Sequence, residues 1–364
     1  MTIWLPWTAI ALCSAVACSS PSAAPQSSGA LDAGDDGSRD ASSANDASSS
    51  SDASSTNDAS TASDSGTTTT RAAAAKATAE SATNACSSIG SFYWEIGDKA
   101  GSLASGSVNA AASTESYDAT TVMPIASASK WLYSAYYIQR RAGVLSDEDI
   151  KFLTFRSGYT NFTLCLPGDT VGSCESRGTN GTYSTSTDGY FYYDGGHMQK
   201  HAALNELGSL DNAALAAEIR SQLGTEIALT YVQPQLAGGV STNATEYAKF
   251  LRKILNNELA IASVLGSHAV CTNPKTCSEA LSTPSPDSAN VHYSLGHWVE
   301  DDPVTGDGSF SSAGAFGFYP WVDATKTLYG IVARKAAAGN NAGWQSLECG
   351  RLIRIAWKTG ETSP

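Results

Sequence analysis

Strand-like segments lie near both ends of the part of this chain that can fold, and helical segments lie between them. Near the start, the runs 92–96 (Phe-Tyr-Trp-Glu-Ile) and 102–108 flank a Gly-containing turn and predict a β-hairpin. Near the end, the runs 316–322 and 327–333 predict a second hairpin, and a helix is expected over about 344–357. This order predicts an α/β (α+β) fold in which both chain ends build one sheet.

The segments between the two hairpins have the spacing and the capping residues of helices. The predicted helices are 127–141, 146–153, 211–223 and 242–255. Ser146 and Asp149 have the spacing of a capping box at the start of the second helix. These helices predict a helical domain inserted into the sheet domain.

Residues 19–70 differ in composition from the rest of the chain. They contain eight Asp, one Arg and no aromatic residue, and from Asp40 a six-residue repeat of the type DASSAN recurs. Because the stretch has no apolar surface to offset its ordering entropy, it is predicted to be a disordered linker. A calcium-binding repeat is the alternative, but one carboxylate per six residues without Gly turns does not fit it. The folded domain is expected over 71–364.

The first 18 residues are apolar and uncharged, and small polar residues follow them. This pattern predicts a signal peptide over 1–18. Ala15 to Cys18 resembles a bacterial lipobox, in which Cys18 would be lipidated and become the mature N-terminus. Secretion with Cys18 removed is the alternative. Either way, the protein is expected to be exported, to the bacterial cell envelope or the medium.

Six cysteines follow the leader, and an even number in an exported chain indicates disulfides. Two pairs enclose short turn-rich loops, and the remaining two cysteines would join the ends of the domain. Zinc is the alternative ligand, but no C-x-x-C pair occurs. The predicted disulfides are Cys165–Cys174, Cys271–Cys277 and Cys86–Cys349.

Ser127 and Lys130 stand three residues apart where an apolar helix begins. Residues at this spacing share a helix face, so the Lys130 ammonium can reach the Ser127 hydroxyl. A serine needs a neighbour that takes its proton, and a desolvated lysine with a lowered pKa can do so. The free N–H groups of the first turn can stabilise an anion there. An N-capping serine with a solvated lysine is the alternative.

Ser127-Ala128-Ser129-Lys130, opening a buried helix after a hairpin, resembles the serine β-lactamase and penicillin-binding protein superfamily. The segments 237–242 and 293–298 resemble its class C-like branch, which includes DD-peptidases and carboxylesterases. The resemblance covers about residues 90–357. It implies an antiparallel sheet formed from both chain ends, with flanking helices and an inserted helical domain.

The resemblance implies a second motif, Tyr-x-Asn, whose best match has Tyr193 in the Tyr place and Gly195 in the Asn place. Tyr193 would share a proton with Lys130 and relay it to the leaving group, its phenol pKa lowered by the adjacent positive charge. The missing Asn removes an amide that contacts Lys and substrate in relatives. Tyr190 or Tyr192 is the alternative residue, and an aromatic cluster without a catalytic role is the alternative interpretation.

The third motif, Lys or His followed by Thr or Ser and then Gly, matches 312–314 best, with Ser312 in place of the cation. The resemblance implies an oxyanion hole made by the N–H groups of Ser127 and Ala315. Ser312, Gly314 and Gly195 are the implied substrate-binding positions. The missing cation weakens the case for a substrate carboxylate. Lys358-Thr359-Gly360 also spells the motif, but it closes the terminal helix.

Two further patterns are interpreted as structural. His197 and His201 have a metal-compatible spacing, but no Glu follows the first and no third ligand can be named, so they predict histidines near the interdomain cleft. Ser241-Thr242-Asn243 precedes an amphipathic helix and is interpreted as a helix cap.

Together these patterns predict an exported serine hydrolase that cleaves an ester, amide or lactam bond through an acyl-serine intermediate. Ser127 would be the nucleophile, Lys130 the base and Tyr193 the proton relay. No cofactor and no metal are expected, the partner is a small-molecule substrate, and the chain is predicted to be a monomer. The net charge of −13 argues against nucleic-acid binding. Because two motifs are altered, a non-hydrolytic binding or sensor module is the alternative.

Overall fold

The structure is a computed structural model, and it describes residues 60–111, 113–337 and 341–364. The signal peptide predicted over 1–18, with Cys18, and most of the linker predicted over 19–70 lie outside the described residues. Within the described part of the chain, no helix is both long enough and apolar enough to cross a membrane.

The end of the predicted linker belongs to a helix rather than to a disordered tether. Helix α1 spans Ser60–Ala79, and Gly66–Pro364 form one compact unit. Ala75 is buried, and the Thr78 hydroxyl accepts the N–H of Ser363 at 2.8 Å. This Ala-rich helix packs against the C-terminal end of the chain, and the linker predicted over 19–70 otherwise lies outside the described residues.

The remaining elements alternate short strands with helices. The strands are β1 (Phe92–Asp98), β2 (Ser102–Val108), β3 (Met123–Pro124), β4 (Ser157–Tyr159), β5 (Tyr183–Asp188), β6 (Phe191–Tyr192), β7 (Thr230–Tyr231), β8 (Val240–Thr242), β9 (Val270–Cys271), β10 (Ala280–Ser282), β11 (His292–Ser294), β12 (His297–Glu300), β13 (Ser309–Ser311), β14 (Tyr319–Val322) and β15 (Leu328–Ala333). The other α-helices are α2 (Ser129–Arg140), α3 (Asp147–Leu153), α4 (Val171–Glu175), α5 (Gly196–Ala202), α6 (Asn212–Leu223), α7 (Ala244–Leu255) and α8 (Ala342–Thr359).

Eight strands form one antiparallel sheet in the order β2-β1-β15-β14-β13-β12-β11-β9. Strand β1 lies beside β15, with Tyr93 opposite Ala333 and Asp98 opposite Leu328. The two ends of the domain are therefore neighbours in the sheet, which confirms the predicted fold class. Smaller sheets have the orders β3-β8-β7, β10-β6 and β4-β5.

Helices cover both faces of this sheet at its centre. Successive side chains of a strand point to opposite faces, so Tyr329 and Val332 of β15 face opposite sides. The hydroxyl of Tyr329 accepts a hydrogen bond from Arg252 of α7 at 3.3 Å. Val332 lies against α8, where a Cβ added to Gly350 would be 3.2 Å from its methyl group. The centre of the sheet is thus packed between α7 and α8, and the strands β1, β14 and β15 are buried on both faces, whereas the edge strand β2 is largely exposed.

The predicted helices are present, with ends within two residues of those expected. Ser146 and Asp149 form the predicted capping box, and Asn243 caps α7 through its side chain. The first helix differs at its start, because a 3-10 turn over Ala126–Ala128 precedes α2. Ala126 has a φ of 46°, and this left-handed residue redirects the chain immediately before Ser127.

All three predicted disulfides are present: Cys165–Cys174, Cys271–Cys277 and Cys86–Cys349. The first two close short loops, as the sequence spacing indicates. The third joins the 3-10 helix Ala85–Ser88 to α8 and is buried. Its position agrees with a sheet domain built from both chain ends.

Candidate active site

Ser127 and Lys130 lie side by side where α2 begins. The Nζ atom of Lys130 donates hydrogen bonds to Ser127 Oγ at 2.9 Å and to the carbonyl oxygen of Ala237 at 2.8 Å. Lys130 is only 5% exposed, so its amine is held out of solvent beside the hydroxyl. The pair predicted from the sequence is therefore assembled, and the alternative of a solvated Lys130 does not hold.

Burial lowers the pKa of Lys130 to about 7, because a charged amine loses hydration in this environment. The nearby carboxylate of Asp194 offsets part of this effect. A lysine in this range is partly neutral near pH 7, whereas an exposed lysine is fully charged. Lys130 can therefore accept a proton from Ser127 without a metal ion or a histidine.

Tyr193 completes the cluster. Its ring centre lies 4.7 Å from Lys130 Nζ, and its phenol interacts with the Ser127 hydroxyl. Burial raises the pKa of Tyr193, and the hydrogen bond with Ser127 offsets this only in part. The expected lowering of this pKa is therefore wrong, because desolvation outweighs the charge of a lysine that is itself partly neutral. Tyr193 is a neutral phenol that can donate a proton.

The two alternative tyrosines do not take this place. Tyr190 is 43% exposed, and the residues that line the pocket described below include neither it nor Tyr192. Tyr192 belongs to β6 and pairs with Ser282 of β10. Of the three candidates, Tyr193 alone borders both Lys130 and the pocket.

The residue after Tyr193, at the variable position of the second motif, supplies a carboxylate beside the site. Asp194 is largely buried, and its Oδ1 accepts the N–H groups of Gly196 at 2.7 Å and Phe162 at 3.2 Å. Gly195 contributes no side chain and is not among the lining residues of the pocket, and its contact with substrate stays a prediction. Sequence reasoning missed Asp194 because it occupies the variable position of the motif.

In the third motif, Ala313 lines the pocket, whereas its neighbours Ser312 and Gly314 contact the segment that carries Ser127. Ser312 is 3% exposed, and its hydroxyl donates to the backbone carbonyl of Ser127 at 3.1 Å. Gly314 lies so close to Ile125 that an added Cβ would be 2.1 Å from its carbonyl oxygen. Neither residue lines the pocket. Their predicted role in substrate binding stays a prediction, and the contacts that the structure shows are with Ser127 and Ile125.

The turn after Gly314 presents the second predicted oxyanion donor. Gly314 N–H donates to the carbonyl of Phe318, and Gly317 N–H donates to that of Gly314, both at 2.8 Å. Between them, in the described chain, the N–H of Ala315 has no backbone acceptor. Ser127 stands in the first turn of its 3-10 helix, where N–H groups also lack intrahelical partners. Both residues border one pocket, as an oxyanion hole requires.

A pocket of about 350 Å³ opens in front of these groups. Sequence reasoning missed most of its wall, which comes from loops and element ends far apart in the chain. The lining residues are Ser127, Tyr193, Pro284, Trp298, Ala313, Ala315, Asn341, Ala342, Gly343 and Trp344. Trp298 lies in the segment 293–298, which resembles the class C-like branch. No motif in the sequence predicted that Trp344 would line the pocket.

Lys358 lies outside the site, as interpreted from the sequence. It is in the last turn of α8, and its Nζ pairs with Asp307 at 3.1 Å. Arg354 also pairs with Asp307, which places Lys358 at the edge of a structural ion-pair cluster.

The two histidines are hydrogen-bonded to neighbouring groups in the core. His197 is buried, with Nδ1 2.7 Å from the hydroxyl of Ser157 and Nε2 2.9 Å from the carbonyl of Tyr192. His201 is held between Tyr133 and Asp149 at 2.8 and 3.0 Å. The described residues contain no cluster of three or more metal-binding side chains. Both histidines are hydrogen-bonded core residues.

No protein-family model and no curated protein matches this chain, but many solved structures share its fold. EstCE1, a hydrolase with promiscuous acyltransferase activity, matches with a TM-score of 0.57 at 10% identity, covering 80% of this chain and 99% of its own. A D-stereospecific amidohydrolase from Streptomyces sp. matches with a TM-score of 0.54 at 12% identity, over 77% and 98% of the two chains. A penicillin-binding protein homologue from Pyrococcus abyssi matches with a TM-score of 0.54 at 13% identity, over 76% and 74%. The chain has the fold of the β-lactamase and penicillin-binding-protein-like serine hydrolases, which confirms the resemblance in the sequence.

Proposed function

We propose that this protein is an exported serine hydrolase that cleaves an ester or amide bond through an acyl intermediate on Ser127. The observation that carries the proposal is the 2.9 Å contact between Ser127 Oγ and the buried Lys130 amine at the edge of an accessible pocket. A structural lysine would pair with a carboxylate or reach solvent. Here the Nζ hydrogen-bonds to a hydroxyl and a backbone carbonyl, and its pKa is lowered.

In the acylation step, neutral Lys130 takes the proton of Ser127 while Oγ bonds to the substrate carbonyl carbon. The carbonyl oxygen gains negative charge, which the N–H groups of Ser127 and Ala315 stabilise. When the bond to the leaving group breaks, that group takes the phenolic proton of Tyr193. Lys130 then returns its proton to Tyr193, so the charges balance.

Deacylation uses the same groups in reverse order. A water molecule attacks the acyl carbon and gives its proton through Tyr193 to Lys130. The bond to Ser127 Oγ then breaks, and Lys130 returns the proton to that oxygen. The high pKa of Tyr193 suits this relay, since the phenol stays protonated between transfers.

Export is supported by the three disulfides, which form and persist in oxidising compartments. Cys86–Cys349 joins the two ends of the domain, and the other two disulfides close short loops within it. Lipidation of Cys18 and a monomeric state stay predictions.

A fluorophosphonate probe and simple 4-nitrophenyl esters test the proposal. The wild-type protein should be labelled and should turn over the esters. Ser127→Ala should lose both, with turnover falling on the order of 10⁴-fold or more. Ser263→Ala is the matched control, because this exposed serine lies outside the pocket lining. Full labelling of Ser127→Ala would show that another serine is the nucleophile. No labelling of the wild type would favour the non-hydrolytic binding module.

A further inference from the structure

The geometry points to a substrate class: we infer that the pocket beside Ser127 takes an uncharged, apolar group and excludes substrates that carry a carboxylate there. The inference rests on the proposed function, since it concerns the specificity of that same site. Three features of the pocket support it. The pocket has an aromatic wall, its described lining residues include no cation, and the basic side chains around it are already hydrogen-bonded within the protein.

Aromatic rings form one wall of the pocket. Trp298 stacks on Tyr193 with the ring centres 5.4 Å apart and the planes 18° from parallel. Trp344 meets Trp298 edge-on, also at 5.4 Å. Trp298 is 2% exposed and Trp344 7% exposed, so packing holds both rings in place. A fixed aromatic wall favours flat or short alkyl groups, which gain from displacing water there.

The rest of the lining adds little polarity. Among the described residues that border the pocket, and apart from Ser127 and Tyr193 with their proposed roles in the reaction, Asn341 is the only one with a polar aliphatic side chain. The others are small or apolar: Pro284, Ala313, Ala315, Ala342 and Gly343. A charged substrate group bound against these residues would have no oppositely charged side chain among them to pair with.

In the part of the chain that the structure describes, no cation at the pocket replaces the one that the third motif lacks. The lining residues include no Lys, Arg or His, and Ser312, in the cation's place, donates its hydroxyl to the Ser127 carbonyl. The amine of Lys130 is already bound to Ser127 Oγ and the Ala237 carbonyl. The basic side chain beside the nucleophile therefore already has its hydrogen-bond partners within the protein.

Arg334 contacts the pocket-lining residue Ala342, but its guanidinium already has hydrogen-bond partners within the protein. Its guanidinium donates to the carbonyls of Ile89 at 2.8 Å and Ala342 at 3.0 Å, and to the Ser346 hydroxyl at 2.9 Å. Arg334 is 5% exposed. A carboxylate in the pocket would lose its hydration without gaining an ion pair, which is unfavourable for binding.

The test compares two esters that differ by one charge: 4-nitrophenyl pentanoate and 4-nitrophenyl hemiglutarate. After subtraction of spontaneous hydrolysis, the neutral ester should have the higher kcat/KM by at least about tenfold. Equal or higher kcat/KM for the hemiglutarate would overturn the inference while leaving the hydrolase proposal intact.

A matched pair of variants introduces the missing charge. Pro284 borders the pocket and is partly exposed, so Pro284→Lys adds a flexible cation there and Pro284→Gln adds a neutral chain. The hemiglutarate-to-pentanoate ratio should rise about two- to fivefold in the lysine variant relative to the glutamine variant, the range of an exposed ion pair. An unchanged ratio would show that charge at this pocket does not govern substrate choice.

Binding to Ser127→Ala separates this inference from the hydrolase proposal. Quenching of tryptophan fluorescence by the nitrophenyl group reports binding without turnover, because Trp298 and Trp344 line the pocket. The pentanoate should bind at least about tenfold more tightly than the hemiglutarate. If the wild type hydrolyses neither ester yet this preference holds, the hydrolase proposal fails and the inference stands. Equal binding of both esters overturns the inference alone.

Discussion

Gly314→Ala should disable the site while leaving the fold in place. An ideal Cβ on residue 314 would lie 2.1 Å from the carbonyl oxygen of Ile125, whereas Cβ atoms in proteins keep at least 3.0 Å from such an atom. The two backbones must therefore separate by about 0.9 Å, the difference between these distances. Ile125 precedes Ser127 by two residues, and Gly314 precedes Ala315, so the separation moves the nucleophile away from an oxyanion donor.

A displacement of about 1 Å at a reacting centre costs on the order of 10²-fold in rate. That loss corresponds to about 2.7 kcal/mol of transition-state stabilisation. It should fall mainly on kcat, because the groups that move apart are the nucleophile and an oxyanion donor, which act on the transition state. Steady-state hydrolysis of 4-nitrophenyl pentanoate measures it, and circular dichroism checks that the variant is folded.

Gly101→Ala is the matched control, since a Cβ at that glycine would have no atom within 4 Å. It should retain full activity. If folded Gly314→Ala keeps activity within about twofold of the wild type, the contact with Ile125 does not position Ser127, and the third motif does not hold the nucleophile in place.

Further outcomes follow from the same geometry. Because Lys130 must be neutral to take a proton and its pKa is about 7, kcat/KM should rise with pH through about 7 and then level off; a rise centred near pH 10 would contradict its role as the base. Lys358→Ala should change activity by less than about twofold, as expected for a last-turn lysine that interacts mainly with the helix dipole and Asp307; a collapse of ester hydrolysis would relocate the third motif. Replacing both Cys86 and Cys349 by Ala opens a loop of 263 residues and should cost about 2–4 kcal/mol of stability in urea unfolding, with little change in rate at 25 °C; unaltered stability would refute this.

The contact between Ser127 and Lys130 could be predicted because it depends on neighbours in the sequence. Ser127 and Lys130 are three residues apart at a helix start, and that spacing alone brings their side chains to one face. The two short disulfides and the helix caps were predictable for the same reason. Cys86 and Cys349 were paired once the other four cysteines were placed.

The direction of the Tyr193 pKa could not be obtained in this way. A neighbouring Lys130 lowers a phenol pKa, and that reasoning uses the charge alone. Burial acts in the opposite direction, and its strength depends on rings such as Phe155 and Trp298 that come from other segments. Likewise, the hydroxyl of Ser312 looked available to substrate until the structure showed it bound to the backbone of Ser127.

The sequence by itself therefore determined the order of strands and helices, the adjacency of Ser127 and Lys130, and the two short disulfides, since local spacing and residue type control each of them. The pair Cys86–Cys349 followed once the other four cysteines were placed. The tertiary structure alone decided what the pocket can hold. Its wall combines Pro284, Trp298 and Trp344 with the turn at Ala315, and these segments meet only when the sheet and α8 are packed together. Whether a charge has a partner there depends on distances across the fold, which no spacing along the chain encodes.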